Sequence, residues 1–463
     1  MKSIISLIAL ASLTTYSVHA ELNNQCNRNQ TTWTFLEKHL TGTFANGDPW
    51  VVGPVTITNI SPNSTEDIHG SMLNPPPGRD QGFDSRISPY NKYTESLDIS
   101  KQLPLQISPG SSIVSAVSRT EKSTFEQIEE YNVLTVLDAP PPTGSFRPAP
   151  IGGDYSNLWN VSEINHGALA SLKLTNAQLS SVKNYTEIFS RTWYEQDLTW
   201  TGRYMHTQYM GDGTGYGRNM ALMTGSAAIL LNLNFSEQEK HPLLVNYIQY
   251  GIDIFGLISV GQQWSADGGH NPGRLLPLLI AAKTLNDPKM LEAVHGPNMN
   301  FQEFQQTFFV SLSDIKLVHD GSKPPYKDYT IADLGMPEWG IRHHKNPKTD
   351  NRYWTAAYRD IAGGVLIAPA FVIQAMRATE DVNHPPLIAY AERHLFYRES
   401  MFSIELYFNG YDDGHKYGDG DSESSSPFSY NDIPNLHKDA YLGLLRADVP
   451  HSPSSLGTNT VTK

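Results

Sequence analysis

The chain has very little cysteine: Cys26 is the single thiol among 463 residues. No disulfide can therefore form within the chain, and packing has to supply the stability that cross-links give to many exported proteins. The length and a hydrophobic content of 39% are sufficient for a large core. These values favour one large domain or two ordinary ones.

Positive charge is also scarce. The 34 Lys and Arg residues are outnumbered by 47 Asp and Glu residues, which gives a net charge of -13. This balance argues against nucleic acid as a partner, because nucleic acid needs a basic face, and against adhesion to anionic membranes. An acidic polymer is not excluded, because the local field in a cleft matters more than the total charge.

Long hydrophobic runs are missing beyond the first 20 residues, so the sequence offers no candidate membrane span. The start, MKSIISLIALASLTTYSVHA, has Lys2, then an apolar run, then small residues up to Ala20. This pattern predicts a signal peptide over residues 1–20 and a secreted, extracellular protein. Six glycosylation sequons agree with a secretory route. They begin at Asn29, Asn59, Asn63, Asn160, Asn184 and Asn234.

The character of the sequence changes near residue 150. Residues 21–150 carry short apolar alternations between Pro and Gly breaks, as in Trp50–Ile60 and Ser111–Ser118, which predict an irregular, partly β extension. Residues 151–450 contain helical patterns that are apolar beyond one stripe, which is typical of buried helices. They are Ala221–Asn234, His241–Gly261, Gly273–Asp287, Gly363–Thr379 and Pro385–Phe402. We therefore predict a mostly α protein: an α/α barrel, a toroid of helical hairpins, carrying the extension, with a flexible tail over 451–463.

One polar segment, WSADGGHNPGRLLPLL, leads directly into an apolar helix. Asn271 is the predicted cap and Pro272 suits the first turn. This places His270 and Arg274 at the positive end of the helix, where anions bind. The alternative is that His270 only hydrogen-bonds a neighbouring loop.

Two further clusters combine cations with aromatic rings. Residues 337–359, PEWGIRHHKNPKTDNRYWTAAYR, hold five cations against two acids, and arginine binds carboxylates through paired hydrogen bonds. Residues 203–221, RYMHTQYMGDGTGYGRNMA, place Tyr216 and Arg218 after a run of glycines, without the Gly-Lys-Ser/Thr of a phosphate loop. A solvated basic loop and an ordinary helix entry are the alternatives.

Histidine, tyrosine, arginine and tryptophan together favour cleavage of a uronic-acid polymer by β-elimination. A cation neutralises the sugar carboxylate, a base takes the C5 proton and a tyrosine protonates the leaving oxygen at C4. A glycoside hydrolase using two carboxylates is the first alternative, with Asp212, Asp267, Asp333 and Glu338 as candidates. A zinc site from His270, His343 and His344 lacks any standard spacing, and DGDSES at 419–424 lacks a complete calcium loop. We predict no metal and no cofactor.

Several segments, among them WSADGGHNPGRLLPLL, PEWGIRHH and NHPPLIAYAERHLF, resemble a group of secreted α/α-barrel polysaccharide lyases, most nearly polysaccharide lyase family 38. The resemblance covers about residues 70–400 and implies alginate or glucuronan as the substrate. It also implies a histidine–tyrosine elimination pair. His270 and His343 are the histidine candidates, and Tyr358 is the first tyrosine, with Tyr326 and Tyr353 as substitutes. Asn271-Pro272 and Leu275 depart from the group and indicate a changed groove.

The sequence thus predicts a secreted polysaccharide lyase whose partner is an acidic polysaccharide. Arg342 and His343 neutralise the carboxylate, His270 is the base and Tyr358 is the acid. The residues predicted to bind flanking sugars are Arg274, Tyr216, Arg218, Trp264, Trp339 and Arg352. The rival of another class is a carbohydrate-binding or wall-associated protein without chemistry. The sequence leaves open which uronate is used, endo or exo action, and the oligomeric state.

Overall fold

A computed structural model describes residues 20–173, 179–211, 213–315, 329–340 and 362–401. These residues are 38% helical and 21% strand, and a large mixed sheet curls into a half-barrel. The predicted α/α barrel is therefore wrong. Residues 1–19 of the predicted signal peptide (1–20) and the predicted tail 451–463 lie outside the described residues.

The strands are β1 (Glu21–Arg28), β2 (Thr31–Thr43), β3 (Pro49–Val52), β4 (Val55–Ser61), β5 (Ser71–Leu73), β6 (Leu105–Ile107), β7 (Ser111–Ser118), β8 (Ile128–Leu137), β9 (Thr307–Phe309) and β10 (Pro337–Trp339). The helices are α1 (Leu179–Phe189), α2 (Gly217–Leu231), α3 (Glu237–Ser259), α4 (Leu275–Leu285), α5 (Pro288–Ala293), α6 (Gln302–Gln306), α7 (Leu312–Ile315), α8 (Ile367–Ala375), α9 (Thr379–Val382) and α10 (Pro385–Met401).

The large sheet has the order β5-β7-β8-β3-β2-β4-β6, and β1 pairs with β2 beside this path. Its ladders are antiparallel except for the parallel pair β3–β8, in which Trp50 lies opposite Thr135. The strands β9 and β10 form a separate two-stranded sheet among the later helices.

The centre of the sheet is buried on both faces, and this explains why the prediction of an α/α barrel with an N-terminal extension was wrong. In β7, Ile113 belongs to a core inside the curl with Trp33, whereas its neighbour Val114 belongs to a second core shared with the helices. Successive side chains of a strand point to opposite faces, so a strand between two cores reads as a continuous small or apolar run. The N-terminal residues are thus a structural layer on which the helices pack, and not an extension around a ring.

The helical predictions fared better, because all five predicted helical segments contain a helix. The predicted segments His241–Gly261 and Gly273–Asp287 correspond to α3 and α4, with boundaries shifted by a few residues. Helix α3 begins with a capping box in which Ser236 and Glu239 satisfy each other's backbone groups. Helix α4 is buried at 10 of its 11 positions.

One core joins the sheet to the helices: it includes Val133 of β8, Leu230 of α2, Leu279 of α4 and Phe371 of α8. The predicted boundary near residue 150 remains a prediction. Within the described ranges, every helix is too short or too polar to cross a bilayer.

Candidate functional site

The start of α4 differs from the prediction. Helix α4 begins at Leu275 with Arg274 as its N-cap residue, and Asn271 instead donates a side-chain hydrogen bond of 2.8 Å to the carbonyl of Ser265. The backbone N–H of Gly273 donates to Glu303 Oε1 at 2.8 Å. Burial raises the pKa of Glu303. The protein's own carboxyl group therefore occupies the predicted anion-binding corner.

Glu195 is the second carboxylate beside this helix start. Arg274 donates to it from Nε at 3.0 Å and from Nη2 at 2.7 Å, and Tyr250 donates from its hydroxyl at 2.7 Å. Burial by itself would raise the pKa of Glu195, but the Arg274 guanidinium and the hydrogen bonds lower it well below its usual range. Arg274 is 1% exposed, so its charge is neutralised inside the protein and does not face a sugar.

His206 connects this ion pair to the glycine-rich segment. Its Nε2 lies 3.7 Å from Glu195 Oε2, and its Nδ1 lies 2.9 Å from the carbonyl oxygen of Gly215. Glu195 therefore joins the segment that precedes Tyr216 to the segment that contains His270 and Arg274.

Asp197 makes a similar connection to the N-terminal layer. Asn91 donates to Asp197 Oδ2 at 2.9 Å, and the backbone N–H of Thr199 donates to Asp197 Oδ1 at 2.9 Å. Thr199 in turn caps the short 3-10 helix Trp200–Tyr204. Tyr90 and Trp200 are thus held next to each other through their chain neighbours Asn91 and Thr199, which both donate to the buried Asp197 carboxylate.

These connections assemble a cluster of partly exposed rings, which we call the aromatic surface. Its members are Tyr90, Phe125, Trp200, Tyr204, Tyr216 and His270. The ring centroids of Tyr90 and Trp200 are 4.9 Å apart, and those of Trp200 and His270 are 6.3 Å apart. Tyr90 is 52% exposed and Trp200 is 36% exposed. Large aromatic rings in mutual contact at the surface are a feature of binding sites.

His270 and Tyr216 are in direct contact within this surface. Their ring centroids are 4.9 Å apart and the planes are nearly perpendicular, at 89°. The backbone fixes the pair, because the N–H of Arg218 donates to the carbonyl of Gly269 at 2.8 Å. A Cβ at Gly217 would lie 1.9 Å from the His270 carbonyl oxygen, so the two loops approach as closely as glycine allows.

Arg203 supplies positive charge to the aromatic surface. Its guanidinium carbon lies 4.2 Å from the ring centroid of Phe125 and 5.5 Å from that of Tyr216. Its Nε donates to the carbonyl of Thr214 at 3.2 Å. These contacts place the guanidinium against the faces of two aromatic rings of this surface.

The structure gives several predicted sugar-binding residues other roles. Trp264 is fully buried, stacks on Phe301 and donates from Nε1 to Glu195 Oε2 at 3.2 Å. Trp339 in β10 is 1% exposed. A ring without exposed area offers no face to a sugar, so neither tryptophan stacks on substrate in this structure. The predicted residues Arg342, His343, Arg352 and Tyr358, and the substitutes Tyr326 and Tyr353, lie outside the described residues.

Two of the four carboxylates considered for hydrolysis, Asp333 and Glu338, are engaged structurally. Glu338 is buried, accepts from the Tyr329 hydroxyl at 3.0 Å and is paired with Arg393. Asp333 closes a capping box with Thr330, and Asp212 is outside the described residues.

A small cavity beside α3 is lined partly by Glu195, Tyr250 and Asp253, but its volume of about 10 Å³ is only that of one water molecule. Among the side chains that the structure describes, no three His, Cys, Asp or Glu residues form a cluster suited to a metal ion.

Sequence reasoning missed Glu195, Asp197, Trp200 and Tyr90. The segment YEQDLTWTGRY contains the first three, and its two acids, placed between aromatic residues, were a weak signal that these carboxylates are buried and paired. Tyr90 has no such signal, because its neighbours in the fold are distant in the sequence.

The chain matches no known protein family, no curated protein and no solved structure. The resemblance to polysaccharide lyase family 38 therefore stays a prediction, and the α/α barrel that it implies is contradicted.

Proposed function

We propose that this protein is a secreted enzyme that cleaves a uronic-acid-containing polysaccharide, of the alginate or glucuronan type, by β-elimination at the aromatic surface. The contact between the His270 imidazole and the Tyr216 ring carries the proposal. Both side chains are partly exposed, and they lie beside Arg203 and exposed aromatic rings. A base, an acid and a cation are the groups that this elimination needs.

The chemical roles follow from these side chains. The His270 imidazole takes the proton from C5, and the electron pair of that C–H bond forms the double bond between C4 and C5. The C4–O bond breaks, and the Tyr216 phenol gives its proton to the departing oxygen. Arg203 stabilises the negative charge that develops on the sugar carboxylate, because a positioned cation acts on the transition state more than on the ground state.

This assignment revises two of the predicted roles. Tyr216 takes the role of acid, because it is in contact with His270. Arg203 takes the neutralising role that the sequence assigned to Arg342 and His343, which lie outside the described residues, and Arg274, predicted to bind a flanking sugar, is paired with Glu195 instead. Both roles are supported by the contacts of Tyr216 with His270 and of Arg203 with Tyr216, and by the partial exposure of these side chains.

The test is turnover by the full chain on polyglucuronate, alginate and polygalacturonate, followed by the ultraviolet absorbance of the 4,5-unsaturated uronate. We expect His270→Ala and Tyr216→Phe each to lower kcat/KM by about 100-fold or more. The matched controls are His39→Ala and Tyr155→Phe, which alter side chains bonded to Val52 and Ser112 in the sheet layer and should retain activity.

Two outcomes contradict the proposal. New reducing ends without ultraviolet absorbance would show hydrolysis instead of elimination. Equal rates for the wild type and the His270 and Tyr216 variants would show that these two side chains are not the base and the acid, provided that thermal unfolding shows all variants to be folded.

A further inference from the structure

We infer that Tyr90, Trp200 and Tyr204 form a stacking platform that binds successive sugar rings of an acidic polysaccharide, next to the His270–Tyr216 pair. The choice of ligand rests on the proposed function, but the platform itself is defined by separate observations. Its occupant is a glycan chain that carries carboxylates.

The first observation is the exposed aromatic area. Tyr90 and Trp200 present 52% and 36% of their surface to solvent while their rings are in contact. The Tyr204 ring centroid is 6.3 Å from that of Trp200 and 6.4 Å from that of Tyr90. Three rings in mutual contact form a continuous patch rather than isolated surface residues, and such patches mark binding sites.

The second observation is the rigidity of the support. Tyr90 directly precedes Asn91, whose side chain donates a hydrogen bond to Asp197, and Trp200 and Tyr204 belong to one 3-10 helix capped by Thr199. There is no space for a side chain at Gly202 in this helix, since a Cβ would lie 2.0 Å from the carbonyl oxygen of Asp197. A platform that is already ordered loses little entropy when a ligand binds.

The third observation is the sign of the exposed charge around the platform. Arg79 donates to Thr199 Oγ1 at 3.1 Å, and its side chain is 47% exposed, whereas Asp197, 3.8 Å from it, is 2% exposed. Arg119, in the hairpin that carries Phe125, donates to the exposed side chain of Gln208 at 2.8 Å. Arg79 is the exposed member of this ion pair and Asp197 the buried one, so this edge of the platform suits an anionic ligand although the chain is acidic as a whole.

The fourth observation is continuity with the proposed reactive pair. The Trp200 ring lies 6.3 Å from the His270 ring, and His270 contacts Tyr216. A chain stacked on Tyr90 and Trp200 therefore extends towards the groups that act on it. Aromatic faces suit the C–H faces of sugar rings, and guanidinium groups suit their carboxylates.

The test measures binding separately from turnover. The full chain carrying His270→Ala is titrated calorimetrically with oligoglucuronate, with oligoalginate and with the same oligosaccharides after reduction of their carboxylates. We expect an added Trp200→Ala or Tyr90→Ala to weaken binding about tenfold or more, as is common for aromatic residues at the centre of a binding site. The matched control is Phe309→Ala, which removes an aromatic ring of 41% exposure from β9.

Charge is tested by Arg79→Gln. This variant should weaken binding of the acidic oligosaccharides and reduce its dependence on salt, while the carboxyl-reduced oligosaccharides should bind weakly to every variant. Because the substituted side chains are exposed, thermal unfolding of each variant should match that of the parent.

The outcomes separate this inference from the proposed function. If Trp200→Ala weakens oligosaccharide binding but the wild type forms no unsaturated product, the platform is supported and the proposed lyase activity is contradicted. If the wild type forms unsaturated product but Trp200→Ala and Tyr90→Ala bind the oligosaccharides as tightly as the parent, the platform is contradicted and the proposed lyase activity stands. Absence of binding to both acidic glycans, or equal binding of the carboxyl-reduced forms, overturns the platform.

Discussion

Glu195 and Arg274 form a buried ion pair that joins the chain segment before Trp200 to the start of α4. Arg274 Nη2 lies 2.7 Å from Glu195 Oε2, and each side chain is 2% exposed. The pair holds together loops that carry the residues proposed for binding and catalysis. Its loss should therefore lower both the free energy of unfolding and the activity.

We expect Glu195→Ala to lower the free energy of unfolding by about 3–5 kcal/mol, because it leaves the Arg274 charge buried without its partner. Denaturant unfolding of the full chain measures the effect. The control is Glu37→Ala in β2, an exposed position where a change within about 0.5 kcal/mol is expected. Unfolding midpoints that coincide for Glu195→Ala and the wild type would show that the pair contributes little.

The same pair predicts a dependence on acid. The pKa of Glu195 is lower in the folded protein than in the unfolded chain, so its contribution is fully present above the unfolded value of about 4.3 and is lost as the pH falls towards the folded value. The difference in unfolding free energy between the wild type and Glu195→Gln should therefore shrink as the pH falls below about 4. A difference that stays constant down to strong acid would contradict this assignment.

Asp253 should respond to pH in the opposite direction. Burial raises its pKa to about 6, although Arg147 Nη2 donates to it at 2.6 Å and opposes the rise. A carboxyl group with a raised pKa binds its proton more tightly when folded, so its contribution is present below the unfolded pKa and is lost as the pH rises through about 6.

Unfolding free energy should thus fall between about pH 4 and pH 6 in the wild type relative to Asp253→Asn, which cannot titrate. Denaturant unfolding at several pH values compares the two proteins. Parallel pH profiles would mean that the ion pair with Arg147 keeps Asp253 charged throughout. Asp138→Asn, which changes an exposed carboxylate at the end of β8, is the matched control.

Gly217→Ala should disturb the proposed reactive pair. The new Cβ would lie 1.9 Å from the His270 carbonyl oxygen, so the two loops have to separate. We expect a loss of about 1–3 kcal/mol of unfolding free energy, as for other overpacked sites, together with reduced turnover. In the control Gly167→Ala, the nearest atom is a side-chain oxygen of Asn165 at 3.2 Å, and both properties should be nearly unchanged. Wild-type stability and rates in Gly217→Ala would indicate that the loops are not tightly apposed.

Asn91→Ala removes the hydrogen bond that links the Tyr90 segment to Asp197. Because the acceptor is a buried carboxylate, we expect a loss of about 1.5–3 kcal/mol. Hydrogen exchange should become faster in the backbone of residues 199–204, which depend on the same carboxylate. Asn298→Ala, at an exposed amide bonded to Glu292, should leave that exchange unchanged. Unaltered exchange in Asn91→Ala would show that the segments are held independently.

The local elements could be predicted from the amino-acid sequence, but little of their arrangement could. The apolar runs at residues 241–261 and 273–287 predicted α3 and α4, and the alternation at 111–118 predicted β7 at its observed boundaries. These predictions succeeded because helix and strand periodicity is written in neighbouring residues. Residue type and glycine content also singled out His270, Tyr216 and the segment beginning at Arg203, whose functional roles stay predictions.

Three relationships are visible only in the folded chain: the N-terminal strands form a central layer, Arg274 pairs with Glu195, and Tyr90 contacts Trp200. Each of these facts joins residues that are far apart in the chain, 79 positions for Glu195 and Arg274. A buried charge has to find its partner wherever the fold brings one, and no local pattern records which partner that is. For the same reason, the sequence did not show that Arg274 and Trp264, which were predicted to bind flanking sugars, are buried. Both side chains donate hydrogen bonds to Glu195.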